Sequence, residues 1–244
     1  MKKLIGFLGV AACVGTIQTA SAGDITGKVT LKGTPPPAPE MPLKADPFCG
    51  KIPEIAGAAS NPRMPFYAVD KSGGLADVFI YIKEGAKPAP PPAQPVVIDQ
   101  VQCQYTPYVV GLQAKQKILV KNSDPLMHNV HPQPTVAGNK EYNKAQPANA
   151  APLEFVFDNP EIFLRFRCDV HPWMFSYVGI VDHPYFAVSG KDGTFKIANV
   201  PPGEYTIEAV HRKTHLAGGK GLTQKIKVGA DGAKADFTVE VPAQ

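Results

Sequence analysis

The sequence predicts an all-β fold, either a β-sandwich or a barrel. Short segments that alternate apolar and polar residues, or that are rich in β-branched and aromatic residues, recur along the chain. Prolines, glycines and Asp-Gly or Pro-Gly pairs separate them, which are turn signals. No stretch has the apolar period of a helix. Many short strands between turns are typical of sandwiches and barrels.

The predicted strands follow each other over 25–32, 76–83, 96–98, 108–112, 117–121, 153–157, 162–167, 177–181, 186–188, 194–197, 205–210, 223–228 and 235–241. Segments 33–47 and 85–95 are rich in proline, so the first is predicted to be a loop and the second an extended connector. The polar segment 132–152 is predicted to be a long loop. The connector at 85–95 marks a candidate domain boundary.

The first 22 residues have the pattern of a secretory signal peptide. Two lysines precede a short apolar run, and Ala20-Ser21-Ala22 matches a cleavage site, which predicts a periplasmic protein without a membrane span. An alternative is a lipoprotein cleaved before Cys13, whose thiol would then carry a lipid anchor. Loss of 1–22 would lower the net charge from +4 to +2, which is too small to favour nucleic acid as a partner.

Cleavage would leave three of the four cysteines: Cys49, Cys103 and Cys168. In an oxidising compartment an odd cysteine is a reactive thiol or a metal ligand. We expect a Cys49–Cys103 disulfide and a Cys168 that is free to bind metal. The alternative is that Cys49 and Cys103 are buried thiols.

Four soft or borderline donors stand in two predicted loops. Cys168, His171 and Met174 follow the strand at 162–167, and His128 lies beyond the strand at 117–121. Two imidazoles, one thiolate and a weak axial thioether are the ligands of a blue-copper site, so these residues predict one copper ion. Zinc, another metal or no metal at all are the alternatives. His131 is a possible extra ligand.

The sequence shows no pattern typical of an enzyme active site. No HExxH, GxSxG or comparable catalytic pattern occurs in the chain, so the sequence does not predict an enzyme.

The same residues carry a resemblance to the cupredoxins, the small blue copper proteins, and most of all to the amicyanin- and plastocyanin-like members. The similar segments are 116–124, 127–131, 164–174 and 179–181, and the resemblance covers about 96–183. It implies a Greek-key β-sandwich that carries single electrons as copper alternates between Cu(I) and Cu(II).

The resemblance also implies roles for individual residues. His128, Cys168 and His171 would be the strong copper ligands, and Met174 the axial one. Three further residues, Asn129, Asp169 and Trp173, would support the ligands, with Asn129 tying the two ligand loops together. The expected partner is a c-type cytochrome or a periplasmic oxidoreductase, docking near His171.

A second resemblance covers 192–209, with its Asp-Gly and Pro-Gly turns, and is to the carboxypeptidase regulatory-like domain, a transthyretin-like sandwich. That family opens with a strand like 25–29, which here precedes the copper-binding stretch. We therefore expect that 23–95 and 184–244 form one sandwich and that a cupredoxin domain at 96–183 is inserted in it. Tandem domains are the alternative arrangement.

Two other functions are compatible with the sequence. One is a copper chaperone or storage protein, although such proteins usually carry several soft ligands or Met-rich tracts. The other is a non-redox β-sandwich binding module with a structural metal.

Overall fold

The computed structural model describes residues 21–52, 62–216 and 220–241. Most of the predicted signal peptide, including Cys13, lies outside these residues. The predicted all-β class is confirmed, because strands in several sheets make up the described architecture and its one α-helix, Arg212–Leu216, is short. Within the described part of the chain, no helix has the length and apolar character needed to cross a membrane.

The strands are β1 (Gly23–Lys32), β2 (Phe79–Glu84), β3 (Val96–Val101), β4 (Gln104–Thr106), β5 (Val109–Gln113), β6 (Ile118–Asn122), β7 (His128–Gln133), β8 (Lys144–Gln146), β9 (Leu153–Phe155), β10 (Glu161–Arg167), β11 (Phe175–Val181), β12 (Phe186–Val188), β13 (Thr194–Val200), β14 (Gly203–Val210), β15 (Leu222–Val228), β16 (Ala233–Lys234) and β17 (Phe237–Glu240).

Two sheets enclose the core that carries the predicted metal ligands. One has the strand order β5-β11-β10-β7-β8 and the other β4-β3-β6-β9. Strand β11 is buried along its whole length: β5 and β10 pair with its two edges, and its apolar side chains belong to this core. The aromatic rings of Phe155, Phe157 and Phe166 fill the space between the sheets.

Two other sheets enclose a second core. Strand β1 pairs with β13, β16 and β17, and β2 pairs with β12 and β14, which pairs in turn with β15. Thus the first two strands of the chain join strands that begin after residue 185. Ile25, Val29, Ile80, Ile197 and Ile207 are among the buried residues of this core.

Phe79 of β2 joins the two cores. Its ring lies against the backbone of Gly111 in β5 and Gly179 in β11, where an added Cβ would stand 2.7 and 2.6 Å from the ring, respectively. Only glycine permits so close an approach of ring and sheet. The neighbouring ring of Phe186 packs against Phe79 at a centroid distance of 5.9 Å.

The segment Leu43–Lys51 packs on the first core, although it precedes β2 in sequence. It consists of two 3₁₀ turns, Leu43–Ala45 and Cys49–Lys51, and Met41, Leu43 and Cys49 are buried among the residues of that core. The predicted Cys49–Cys103 disulfide is confirmed, with the two Cα atoms 5.8 Å apart. Cys168 is the free cysteine of the described residues, and it is buried.

Several elements differ from the sequence prediction. The strand predicted at 76–83 begins only at Phe79, because Asp77 has a φ of 60° and cannot continue an extended strand. Strand β8 lies within the predicted loop 132–152, and His128 is the first residue of β7 rather than a loop residue. Strand β4 and the helix Arg212–Leu216 were not predicted.

Candidate metal centre

Three elements bring the predicted donors to one end of the first core. His128 opens β7, and Cys168 directly follows β10, its antiparallel neighbour. The loop from Cys168 to Met174 then leads into β11. Two backbone hydrogen bonds close this loop: Cys168 N–H donates to Met174 O at 3.1 Å, and Met174 N–H donates to His171 O at 2.8 Å. The Cys-x₂-His spacing therefore folds the imidazole of His171 back towards the thiol.

The side chains of His128, Cys168 and His171 form a group of potential metal ligands. The two Nδ1 atoms are 2.9 Å apart, and Cys168 Sγ lies 4.0 Å from His128 Nδ1 and 3.7 Å from His171 Nδ1. Bonds of about 2.0 Å to nitrogen and about 2.3 Å to sulfur on a shared ion span such separations. The donor set therefore fits one metal ion.

The group is closed to solvent. His128 and Cys168 are fully buried, and His171 is 2% exposed. Three polar or ionisable groups in such a place are costly unless each is paired. Their partners are therefore part of the site.

Asp124 is the partner of His128. Its Oδ2 lies 2.9 Å from His128 Nε2, so this ring nitrogen donates outward and leaves Nδ1 to face the other two donors. The same carboxylate accepts the backbone N–H groups of Gln102 and Cys103, at 2.7 and 2.8 Å, in the turn between β3 and β4. Burial lowers the pKa of His128, but hydrogen bonds with Asp124 and Cys168 outweigh this, and the net shift is upward.

Asp46 takes the corresponding position at His171. Its Oδ2 lies 3.4 Å from His171 Nε2. Its Oδ1 accepts the backbone N–H groups of Phe48 and Cys49 at 2.8 and 2.9 Å, which fixes the carboxylate in the turn. Burial lowers the pKa of His171 in spite of this carboxylate.

The sulfur of Cys168 receives two backbone N–H groups, from Asn129 and from His171, both at 3.4 Å. Burial raises the pKa of the thiol, but the hydrogen bonds from His128 and from these two N–H groups outweigh it, and the pKa is lowered. The surroundings of Cys168 thus favour the thiolate, which is the form that binds metals.

Asn129 links β7 to the loop that follows β10. Its Oδ1 accepts the backbone N–H of Asp169, and its Nδ2 lies 3.2 Å from Asp169 Oδ2. The hydroxyl of Tyr105 donates to the carbonyl of Asn129 at 2.8 Å. Side-chain and main-chain groups of one residue therefore hold the His128 strand against the Cys168 loop.

His131 lies apart from the three-donor group. Its Nδ1 contacts Asp169 Oδ2 at 2.8 Å and its Nε2 contacts Glu141 Oε1 at 2.7 Å, so both ring nitrogens face carboxylates. Asp169 also pairs with Arg167. Burial raises the pKa of Asp169, but hydrogen bonds from His131 and Arg167 outweigh it and lower the pKa to about 2.

Trp173 and Met174 complete the loop. The indole ring of Trp173 lies 5.1 Å from the His171 ring, centroid to centroid, and its Nε1–H donates to Cys103 O at 3.1 Å. Met174 is 1% exposed and sits in the first core. Its role as the axial ligand stays a prediction.

Sequence reasoning missed the two carboxylates that face the imidazoles. Asp124 stands four residues before His128, inside the segment that carries the cupredoxin resemblance, so its position was a usable signal. Asp46 lies far upstream in a proline-rich stretch, and no local pattern connects it to His171. The docking surface expected near His171 stays a prediction, and the imidazole itself is 2% exposed.

Comparison with solved structures finds cupredoxins among the neighbours. A Cu-containing nitrite reductase from Thermus scotoductus is 18% identical, with a TM-score of 0.33, over 42% of this chain and 25% of that one. A Cu(I) form of an amicyanin mutant is 18% identical, with a TM-score of 0.32, over 35% of this chain and 81% of that one. A purple cupredoxin from Nitrosopumilus maritimus is 20% identical, with a TM-score of 0.28, over 35% of this chain and 98% of that one.

The chain thus spans a quarter of the nitrite reductase and most of the two smaller proteins. No family model and no curated protein matches it.

Proposed function

We propose that this chain binds one copper ion through His128, Cys168 and His171, with Met174 as a weak axial ligand, and carries single electrons between redox partners. The observation that carries the proposal is the convergence of two imidazole Nδ1 atoms and one thiol within 4.0 Å, all buried. A bound copper ion would supply a reversible one-electron couple. This combination of two imidazoles and one thiolate suits copper better than the hard cations.

The chain's own contribution is to hold the donors in place before the metal arrives. Asp124 orients His128, and Asn129 holds the Cys168 loop against β7. Because these supports are hydrogen bonds to buried groups, the donors should move little when the oxidation state changes. The backbone N–H groups on the sulfur of Cys168 would also set the reduction potential.

We further propose that the chain acts as a carrier rather than an enzyme. The donors are buried, and His128 and His171 each face a carboxylate, so the part of the chain that the structure describes leaves no side of the centre open to a small substrate. A catalytic metal site needs an open coordination position. The closed site therefore favours electron transfer over chemistry at the metal.

The strand pairings support a proposal for how the chain is divided into domains. The pairing of β1 and β2 with strands that begin after residue 185 supports a cupredoxin domain at about 96–183, inserted into a sandwich built from 23–95 and 184–244. We also propose that this outer sandwich is of the carboxypeptidase regulatory-like kind, with no activity of its own.

We propose secretion to the periplasm and a redox protein, such as a c-type cytochrome or a periplasmic oxidoreductase, as partner. The signal-peptide pattern at 1–22 supports the location. The chain's small net charge gives no reason to expect nucleic acid.

The test is a visible and electron paramagnetic resonance spectrum of the Cu(II)-loaded protein beside three variants. Cys168→Ser and His128→Ala should both lose the intense thiolate-to-copper band. His131→Ala is the matched control, and it should keep the band, because both ring nitrogens of His131 are engaged elsewhere.

A protein that stays colourless with Cu(II) would contradict the proposal and leave a non-redox binding module. Coloured protein that cannot be reduced and reoxidised, but passes Cu(I) to an acceptor, would indicate a chaperone or store instead.

A further inference from the structure

The imidazole of His171 is covered by a segment that comes from far upstream. This segment, Leu43–Lys51, is called the strap below. Asp46, at its centre, places a carboxylate oxygen 3.4 Å from His171 Nε2, on the side of the ring that faces away from Cys168. His171 is left with 2% of its surface exposed.

Three kinds of contact hold the strap in this position. Cys49 is bonded to Cys103, in the turn that Asp124 holds next to His128. Leu43 and Cys49 are fully buried in the first core. The Asp46 carboxylate accepts two N–H groups of the strap itself, which fixes the turn that faces His171.

The two imidazoles are therefore supported in the same way from opposite sides. His128 Nε2 faces Asp124, which is local in sequence, and His171 Nε2 faces Asp46, which the strap supplies. Each carboxylate leaves an Nδ1 atom facing the thiol. The centre would be incomplete on the His171 side without the strap.

We infer that the strap is a built-in seal over the His171 edge of the centre, and that Asp46 is the positioning residue through which it acts on His171. The inference rests on the proposed copper site and deepens it. Sealing keeps water and outside ligands from the donors. The negative charge of Asp46 favours Cu(II) over Cu(I), because the more positive ion gains more from a nearby carboxylate.

A docked partner would also meet the strap rather than the edge of His171. The edge of His171 is covered by the strap, and 2% of the residue is exposed.

The first experiment uses the metal-free protein and measures how fast iodoacetamide alkylates Cys168. In Asp46→Ala the turn loses the acceptor for two N–H groups and the contact with His171, so the strap should open more often. We expect alkylation to become about tenfold faster. Asp46→Asn keeps an oxygen that can accept those N–H groups, and its rate should stay within about twofold of the parent protein.

Asp70→Ala is the matched control. Asp70 also accepts two backbone N–H groups in a turn, from Ser72 and Gly74, but among the described residues no histidine bonds to its carboxylate. This variant should leave the alkylation rate unchanged. If Asp46→Ala alkylates no faster than Asp70→Ala, the strap does not seal the site and the inference is overturned.

The second experiment measures the reduction potential of the copper-loaded proteins. Asp46→Asn removes the charge while keeping the turn, so its potential should rise above that of the parent and of Asp70→Asn. Equal potentials would overturn the proposed effect of the Asp46 charge on the copper ion. If the protein binds no copper, the proposed function fails, yet the alkylation rates still decide whether the strap seals the centre.

Discussion

Asn129 donates its backbone N–H to the sulfur of Cys168, across the gap between β7 and the loop that follows β10. Its side chain accepts the next backbone N–H of that loop, at Asp169. One residue thus fixes both the position of the loop and the hydrogen bonding of the sulfur. The spacing between the His128 strand and Cys168 depends on it.

Asn129→Ala should loosen the centre and destabilise the protein. The variant leaves the backbone N–H of Asp169 without its acceptor, and a lost hydrogen bond to a partly buried group costs about 1 kcal/mol or more. Urea unfolding of the metal-free protein should show this loss. The thiolate-to-copper band of the loaded variant should shift or weaken, because the loop is no longer held.

Asn143→Ala is the control for this change. Asn143 contacts Asn129 and Asp169 but neither the sulfur nor the loop backbone. It should cost less stability and leave the band in place. An Asn129→Ala protein with an unaltered band would show that the loop keeps its geometry without the side chain.

Removal of the Cys49–Cys103 disulfide should lower stability more than any single hydrogen bond. The bond joins residues 54 apart in sequence, and the chain-entropy model gives about 4 kcal/mol for closing a loop of that size. We expect the Cys49→Ala/Cys103→Ala double variant to unfold at clearly lower urea concentration. A loss below about 1 kcal/mol would contradict this expectation. It would mean that the unfolded chain keeps Leu43 and its neighbours together without the disulfide, so that the bond removes little entropy from the unfolded state.

The sequence was sufficient for the fold class and for placing Cys168 and His171 in one loop. Alternating apolar and polar residues reveal which strand faces are buried, and Cys168 and His171 lie in a single loop. Both features can be predicted because they depend on residues that are close together in the sequence. His128 was chosen for its place beyond the strand predicted at 117–121 and for the family resemblance, and the structure brings its ring beside Cys168. Whether these residues bind copper remains a prediction.

Other features depend on contacts that local patterns do not encode. The turn between β3 and β4 has Gln102 and Cys103 with positive φ instead of glycines, and the distant carboxylate of Asp124 holds their N–H groups. The contact of Asp46 with His171 likewise requires the strap to fold back over the first core. Nothing in the local sequence links Asp124 to Gln102 or Asp46 to His171.

Gly179→Ala should test the join between the two cores. The added methyl group would stand 2.6 Å from the ring of Phe79, which is fully buried and cannot move aside freely. Overpacking of this kind costs about 1–3 kcal/mol, which denaturant unfolding would measure.

Gly229→Ala is the matched control, because no atom lies within 4 Å of its added Cβ. Combining Gly179→Ala with Phe79→Leu should cost less than the sum of the two single changes, since the smaller side chain makes room. If the two losses in unfolding free energy simply add, the methyl group of Gly179→Ala and the side chain of residue 79 are not in steric conflict.

His211 should make stability depend on pH in the mildly acidic range. Its ring is buried and stacks on Tyr67 at 4.9 Å, and its Nδ1 has no hydrogen-bond partner among the described residues. Burial, reinforced by the charges of Arg212 and Lys213, lowers the pKa of His211 to about 4, although a bond to the Phe66 backbone opposes this.

In the unfolded chain the imidazole titrates near its usual pKa of about 6.5. Between the two pKa values the unfolded state binds a proton that the folded state does not, so stability falls as pH drops from about 6.5 to about 4. The contribution is fully present above pH ~6.5, and up to about 3 kcal/mol of it disappears by pH ~4.

His211→Phe, which keeps a ring against Tyr67, should flatten the curve of unfolding free energy against pH over this range. Tyr67→Leu should instead lower the curve nearly in parallel, because it removes the stacked ring but leaves the titrating imidazole in place. A His211→Phe curve as steep as the parent's would assign the acid sensitivity to other groups.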